Sequence, residues 1–311
     1  MTEKQHHQFT WDLRLEEDCR AIIQLAVRED LDRSFDWTTV ALVDSGQPGH
    51  AAVVARRAGV IAGLPAAKLA LAEYDADLKW SPQVADGDTV KKGQSVAEIR
   101  GAARSLLTSE RVVLNLLARL SGVATLTRQY VEAVQGTQAG IYDTRKTTPG
   151  WRRLEKYAVK IGGGHNHRTG LFDAVLIKDN HLAVSKQRGT NTSITSADAL
   201  ARVKQLLRQQ PAGGAEAEMI VEVEVDTLAQ LAEVLPAGPD VVLLDNMTPN
   251  QLRSAVRTRA QIAPDVQLEA SGGITLSSVR EVALTGVERI SVGALTHAAV
   301  SLDLALDWLP A

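Results

Sequence analysis

From Gly140 to Val292 the chain alternates short β-branched runs with stretches of helical spacing, and this alternation limits the available folds more than any other feature. The runs are Gly140–Tyr142, Ala174–Ile177, Ile220–Val225, Val241–Leu244, Val266–Glu269 and Arg289–Val292. Parallel strands need a long crossover, usually a helix, so the pattern predicts a parallel βα barrel or sheet. No repeat of fixed period is visible, which argues against a solenoid. Between the second and third runs, Ser185 to Glu218 reads as a peripheral excursion: a polar loop, a capped helix beginning near Ser196, and the stretch PAGGAEAE.

The first third of the chain follows a different pattern. Leu13 to Val27 has helical spacing, EDLDRSFDWTT is an acidic connection, and a helix over Pro65 to Glu73 separates two β-like stretches, AAVVARRAGVIAGL and DTVKKGQSVAEIRG. These read as half-buried antiparallel strands. From Thr108 a helix sets Val113, Leu116, Leu117 and Leu120 in one apolar stripe that Gly122 is expected to end, and Arg111 lies opposite the stripe, facing solvent or a neighbouring subunit. With 311 residues and 45% hydrophobic content, two lobes are expected.

Charge and cysteine usage narrow the class. A formal charge of −3 with interspersed signs provides no basic domain for nucleic acid, so any anion site must be local. The single cysteine, Cys19, excludes an intrachain disulfide framework and fits a reducing compartment. The N-terminal segment lacks the apolar core of a signal peptide and no run reaches the ~18 apolar residues of a membrane span, so a soluble, cytoplasmic protein is expected.

Polar residues gather at the ends of the predicted strands, where barrel enzymes keep their active sites. Arg145 and Lys146 follow IYD, Lys178 follows AVLI, Asp245 follows VVLL, and His167 and Arg168 lie between the first two strands. So much positive charge points to a small polyanion. In IVEVEVD the period of two puts Glu222 and Glu224 on one face and the valines on the other, which places Glu224 in the pocket with Asp245. Carboxylates beside a polyanion make sense as acceptors of sugar hydroxyls or as holders of Mg²⁺ through waters. Ser271, Gly272 and Gly273 sit between a strand and a helix, and Gly293 ends the next strand, as in a phosphate site built from the last two βα loops. His165, His167 and His181 are not read as a metal site, because Arg168 and Lys178 would repel a divalent ion and no thiolate or carboxylate completes the sphere.

The motifs DTRKT, NHR-x-GL-x-D, LIKDNH, EVEV, LLDN, EASGGI and SVGAL, in this order, resemble the quinolinate phosphoribosyltransferase family, and EDL…D-x-TT, GVIAGL and SERVVLNLLARLSGVAT extend the resemblance over nearly the whole chain. It implies a sandwich-like N-terminal α/β domain over residues 1–120, an incomplete parallel βα barrel of the type II phosphoribosyltransferase kind over 121–297, a C-terminal helix over 298–311 packed on the first domain, and a homodimer. It also implies transfer of phosphoribosyl from phosphoribosyl pyrophosphate to quinolinate with decarboxylation, giving nicotinate mononucleotide, pyrophosphate and CO₂ in NAD biosynthesis.

Carried over by position, Arg145, Lys146, His167, Arg168 and Lys178 would surround the quinolinate carboxylates and nearby phosphate, with Arg111 supplied by the partner subunit. Glu224 and Asp245 would hold ribose hydroxyls and Mg²⁺, while Ser271, Gly272, Gly273, Gly293 and His297 would hold the 5′-phosphate. Lys146, Glu224 and Asp245 would be the catalytic set. Two departures stand out: Ser185 to Glu218 is longer than the family pattern, and FDWTT replaces a more usual Gly-Asp. The alternatives are a related phosphoribosyltransferase, or a ligand-binding paralogue, for another aromatic acid. More remotely, VADGDTVKKGQSVAEIRG looks like half of a lipoyl or biotinyl carrier, although it lacks the modifiable lysine turn.

Overall fold

The computed structural model describes residues 4–185, 194–210 and 219–310. Much of the Ser185 to Glu218 excursion therefore lies outside the described residues. The chain forms two compact units, each assembled from separated segments: residues 1–8, 130–145 and 165–293 make one, and residues 9–129, 146–164 and 294–311 the other.

Among the described residues there are twelve strands. Those of the second unit are β1 (Pro48–Ala55), β2 (Gly59–Val60), β3 (Lys79–Pro82), β4 (Thr89–Val90), β5 (Ser95–Ala102) and β12 (Leu304–Trp308). The larger sheet is antiparallel in the order β12-β1-β5-β3, and β2 pairs with β4. The stretch likened to a carrier half supplies β4 and β5, and β5 is an interior strand of the sheet. Helices Leu13–Leu31, Leu64–Tyr74 and Ala103–Ala133 belong mainly to this unit, the first beginning at Asp12, whose carboxylate accepts from Leu15 N–H.

Two expectations are corrected in this unit. The helix bearing the apolar stripe does not stop at Gly122 but runs on to Ala133. Gly122 is needed for close approach instead: a Cβ there would lie 2.2 Å from the Val300 carbonyl oxygen. Second, residues 298–311 form no C-terminal helix of that extent; their main element is β12, which runs antiparallel to β1. Leu302, Leu304 and Leu306 alternate with polar or small residues in a period of two, and Asp307 pairs with Arg56 beside β1, which favours a strand.

The other unit contains β6 (Gly140–Tyr142), β7 (Ala174–Ile177), β8 (Ile220–Val225), β9 (Val241–Asp245), β10 (Gln267–Ser271) and β11 (Arg289–Ser291), close to the ranges expected from sequence. They form one parallel sheet in the order β6-β11-β10-β9-β8-β7. Beyond β6, His165 adds a parallel bridge to Tyr142. From this edge, His167 reaches Glu222 in β8 and Glu269 in β10, so the sheet curls around a polar interior. The helix expected near Ser196 runs from Ser196 to Arg208 behind a Thr195–Asp198 capping box.

Candidate active site

Every strand of the parallel sheet ends in, or just before, a residue singled out from the sequence. Arg145 follows β6, Lys178 follows β7, Glu224 is the penultimate residue of β8, Asp245 and Ser271 end β9 and β10, and Gly293 follows β11. Asp245 and Ser271 are paired in register, and Lys178 Nζ lies 2.7 Å from Glu224 Oε2. One edge of one sheet thus carries a cation at each outer strand, Arg145 after β6 and Lys178 after β7, with the glycines and carboxylates between them.

The β6 end of this edge is held by a residue that sequence reasoning did not single out. Asp143 is fully buried after β6 and accepts from Asn166 Nδ2 at 2.7 Å and from the His167 amide at 2.8 Å. Gln8 adds a two-way bond to the Asn166 backbone, 3.1 Å from its side-chain Nε2 to the carbonyl and 3.0 Å from the amide to its Oε1. Segment 166–168 is therefore fixed beside β6, with Arg168 only 6% exposed. Burial first, and Arg145 second, lower the Arg168 pKa. Two guanidiniums brought together where one is desolvated make a site that an anion would relieve.

Beneath this edge lies a buried ionic cluster. His167 Nε2 is 2.9 Å from Glu222 Oε2 and 3.5 Å from Glu269 Oε1, and its Nδ1 accepts from the Arg168 amide at 2.8 Å. Glu269 Oε2 is 2.8 Å from Arg289 Nε, and the Arg289 guanidinium lies 4.1 Å above the Tyr142 ring centre. Burial disfavours charge on His167, but Glu269 and Glu222 outweigh it and raise its pKa; burial and then Glu222 raise that of Glu269. The Arg168 amide favours a neutral ring with its proton on Nε2, whereas the carboxylates favour imidazolium. With Nδ1 accepting from that amide the ring is neutral and its Nε2–H donates to Glu222, while the two carboxylates raise its affinity for a second proton. Polar residues inside strands, Glu269 in QLEAS and Arg289 in RIS, were the available signal for this cluster.

His6, His167 and Glu222 place one ligand atom each within 4.8 Å of one another. They fit a metal poorly. The two rings stack at 4.6 Å and 27°, so their in-plane lone pairs run side by side, and Arg168 and Arg289 add positive charge nearby. Glu224 and Asp245 offer the hard carboxylate oxygens that Mg²⁺ takes, with one oxygen of each already engaged, by Lys178 and by Asn246.

The glycine part of the edge is made of backbone. Gly272 and Gly273 have φ of +96° and +60°, which L side chains rarely adopt. The next helix, Val279–Ala283, does not begin directly after them: residues 275–278 intervene as a turn, so the expected helix N-terminus is not at this loop. Gly293 is half-buried.

Arg111, Lys146 and His297 belong to the second unit. Arg111 is two-thirds exposed, in keeping with its place opposite the apolar stripe. Lys146 is held by its backbone: its carbonyl accepts from Thr296 Oγ1 at 2.7 Å, while Thr148 N and Oγ1 bond Glu155 at 3.1 and 3.0 Å. Glu155, fully buried, also receives Arg119, whose Nη1 reaches the Ala299 carbonyl at 2.8 Å. His297 is exposed.

A curved parallel sheet with cations, acids and glycines at its carboxyl edge is the architecture of a barrel enzyme for anionic substrates. Residues 36–121 match the N-terminal domain of quinolinate phosphoribosyl transferase and residues 123–307 its C-terminal domain. The chain belongs to this family. It is 44% identical to nicotinate-nucleotide pyrophosphorylase [carboxylating] of Mycobacterium leprae (strain TN), over 93% of this chain and 96% of that one. It is 38% identical to quinolinate phosphoribosyltransferase [decarboxylating] 1b of Nicotiana tabacum, over 93% and 82%. The nicotinate-nucleotide pyrophosphorylase structure from Francisella tularensis superimposes with a TM-score of 0.85 at 32% identity, covering 98% of this chain and all of that one.

Proposed function

We propose that this protein joins the pyridine nitrogen of quinolinate to C1 of the ribose of phosphoribosyl pyrophosphate, releases pyrophosphate, and loses the 2-carboxylate as CO₂ to leave nicotinate mononucleotide for NAD biosynthesis. The observation that carries the reading is the Arg145–Arg168 pair, one guanidinium buried and both at the β6 end of an edge that also holds Glu224, Asp245 and the Gly272–Gly273 backbone. A diacid matches the first group and a sugar phosphate the second.

Arg145, Arg168 and Lys178 bind the two carboxylates, with His167 and its carboxylates fixing Arg168 from below; Lys146 and Arg111 supply further cations. Asp245 and Glu224 accept ribose hydroxyls and tolerate positive charge as the bond to pyrophosphate stretches. Ser271, Gly272, Gly273 and Gly293 hold the 5′-phosphate, with His297 assigned to the same group. Glu224 and Asp245 would hold Mg²⁺, directly or through water or substrate, and the ion would supply positive charge to the leaving pyrophosphate. In the second step the cationic ring nitrogen stabilises the carbanion at C2, so the protein has only to hold the carboxylate and exclude water.

A cytoplasmic homodimer is part of the proposal. Among the described residues no helix is long and apolar enough to cross a membrane. Phe35, Trp37, Val40 and Leu42 are all more than 40% exposed on a segment that Arg104 and Thr108 pin to the helix bearing Arg111. So much apolar surface beside an exposed arginine supports a second copy as the occupant.

Incubation with quinolinate, phosphoribosyl pyrophosphate and Mg²⁺ tests the reading. Equal amounts of CO₂ and nicotinate mononucleotide are expected. Turnover of a monocarboxylic pyridine in preference to quinolinate, or none of either, would overturn it.

A further inference from the structure

Asn246, directly after β9, does three things at once. Its φ is +52°, and among the described non-glycine residues only Asp32 also has a positive φ. Its amide N–H donates to the Ser271 carbonyl at 2.9 Å, and its side-chain Nδ2 donates to Asp245 Oδ2 at 2.7 Å. Its Oδ1 lies against the next loop so closely that a Cβ added at Gly272 would be 2.1 Å away. The opposite amide orientation would set oxygen against the carboxylate, so the assignment follows from charge.

None of this is required to build the sheet. β9 is already paired in register with β8 up to Leu244 and with β10 up to Asp245, and Asn246 is exposed. A sparsely populated backbone conformation held at a strand end, with its side chain committed to a neighbouring carboxylate, marks a local demand for geometry. We propose that Asn246 is a positioning residue that sets the Asp245 carboxylate and the Ser271–Gly273 loop at a fixed separation and orientation. The inference rests on the proposed function, because phosphoribosyl pyrophosphate is the molecule whose ribose and 5′-phosphate these two groups would grip together. Asn246 need not touch the substrate. By engaging Oδ2 it directs the other Asp245 oxygen outward, and by filling the space over Gly272 it limits how that loop can turn.

Two substitutions separate backbone from side chain. Asn246→Gly accepts φ +52° freely and keeps the amide bond to Ser271 but removes the carboxamide; Asn246→Asp is isosteric and replaces the donor by a second carboxylate. Steady-state kinetics of the full chain, with thermal melting of each variant, reads the result. For Asn246→Gly, kcat/KM for phosphoribosyl pyrophosphate should fall about tenfold, the loss of one hydrogen bond to a charged group, and for Asn246→Asp by roughly a hundredfold. KM for quinolinate should stay within about twofold. A merely structural residue would change both substrates together. Should Asn246→Asp not fold, Asn246→Gly alone decides. If the parent protein turns over and the variants match it, or both substrates weaken equally, the inference fails while the proposed function stands; a parent without turnover would remove both.

Discussion

Lys178 Nζ lies 2.7 Å from Glu224 Oε2, an ion pair between the end of β7 and the end of β8. The side chains are partly exposed, so the pair adds little to stability. Its value is positional, since one ammonium serves a protein carboxylate on one side and can serve a ligand carboxylate on the other. Lys178→Ala is expected to lower kcat/KM for quinolinate by about 10²–10³-fold, the scale of removing one preorganised donor, with melting temperature nearly unchanged. Comparison of kinetics and melting checks this, and a large loss of stability with normal turnover would contradict it.

The Arg145–Arg168 juxtaposition should make folding responsive to diacids. At a hundred times its dissociation constant a ligand stabilises the native state by about 2.7 kcal/mol. Quinolinate alone should therefore raise the melting temperature of the parent protein, and Arg168→Met should abolish the shift. A shift that survives the substitution would place the diacid elsewhere.

Stability should decline in mildly alkaline solution. The His167 pKa is raised in the folded protein because Glu269 and Glu222 outweigh burial, so its contribution is complete below the ordinary value of 6.5 and is lost as pH rises through the raised one. Glu269, also raised, works in the same direction at its own titration. Urea midpoints measured from pH 6 to 9 test this, and His167→Gln should flatten the profile. A parent protein that gains stability across that range would show that the imidazole takes up no second proton.

Shared sites give a distinctive mixing result. Arg111→Ala and Lys146→Ala should each be nearly inactive. If Arg111 serves the partner's site, each mixed dimer has one intact site, and equal mixing after subunit exchange restores about a quarter of the parent activity. No recovery in a demonstrated mixed dimer would confine Arg111 to its own chain.

Gly122→Ala reverses a familiar rule. Alanine in place of glycine inside a helix normally stabilises by about 1 kcal/mol, but here the added carbon would meet the Val300 carbonyl oxygen at 2.2 Å. The variant should be less stable by roughly 1–3 kcal/mol, as for other overpacked contacts. A raised urea midpoint would show that residues 300 and 301 can move aside.

The parallel sheet was legible because each of its strands is a compact β-branched run between helical patterns, and the site because its residues end those runs. What escaped notice depends on partners distant in sequence. Gly122 looked like a helix terminator because local propensity disfavours it, and only the backbone of Val300 reveals its purpose. The helix expected over residues 298–311 is what the resemblance implies, whereas the period-two alternation of Leu302, Leu304 and Leu306 favours the strand that pairs with β1. Asp143 and Asn166 were visible inside quoted motifs, yet their bond to each other is a tertiary fact, and so is the Asn246 grip on the Gly272 loop. The buried cluster around His167 is half visible in the sequence: the period of two in IVEVEVD turns Glu222 inward, while the partners of Glu269 and Arg289 lie on other strands.

The antiparallel pairing of β12 with β1 has a consequence for biosynthesis. The first sheet to leave the ribosome cannot be finished until its outer strand is made, roughly 250 residues later, and at typical synthesis rates this leaves β1 with an open edge for on the order of ten to fifty seconds. An unprotected edge for that long is an invitation to pair with the wrong chain, so the nascent protein should depend on chaperones more than the finished one does, and variants truncated just before Leu304 should be found in aggregates.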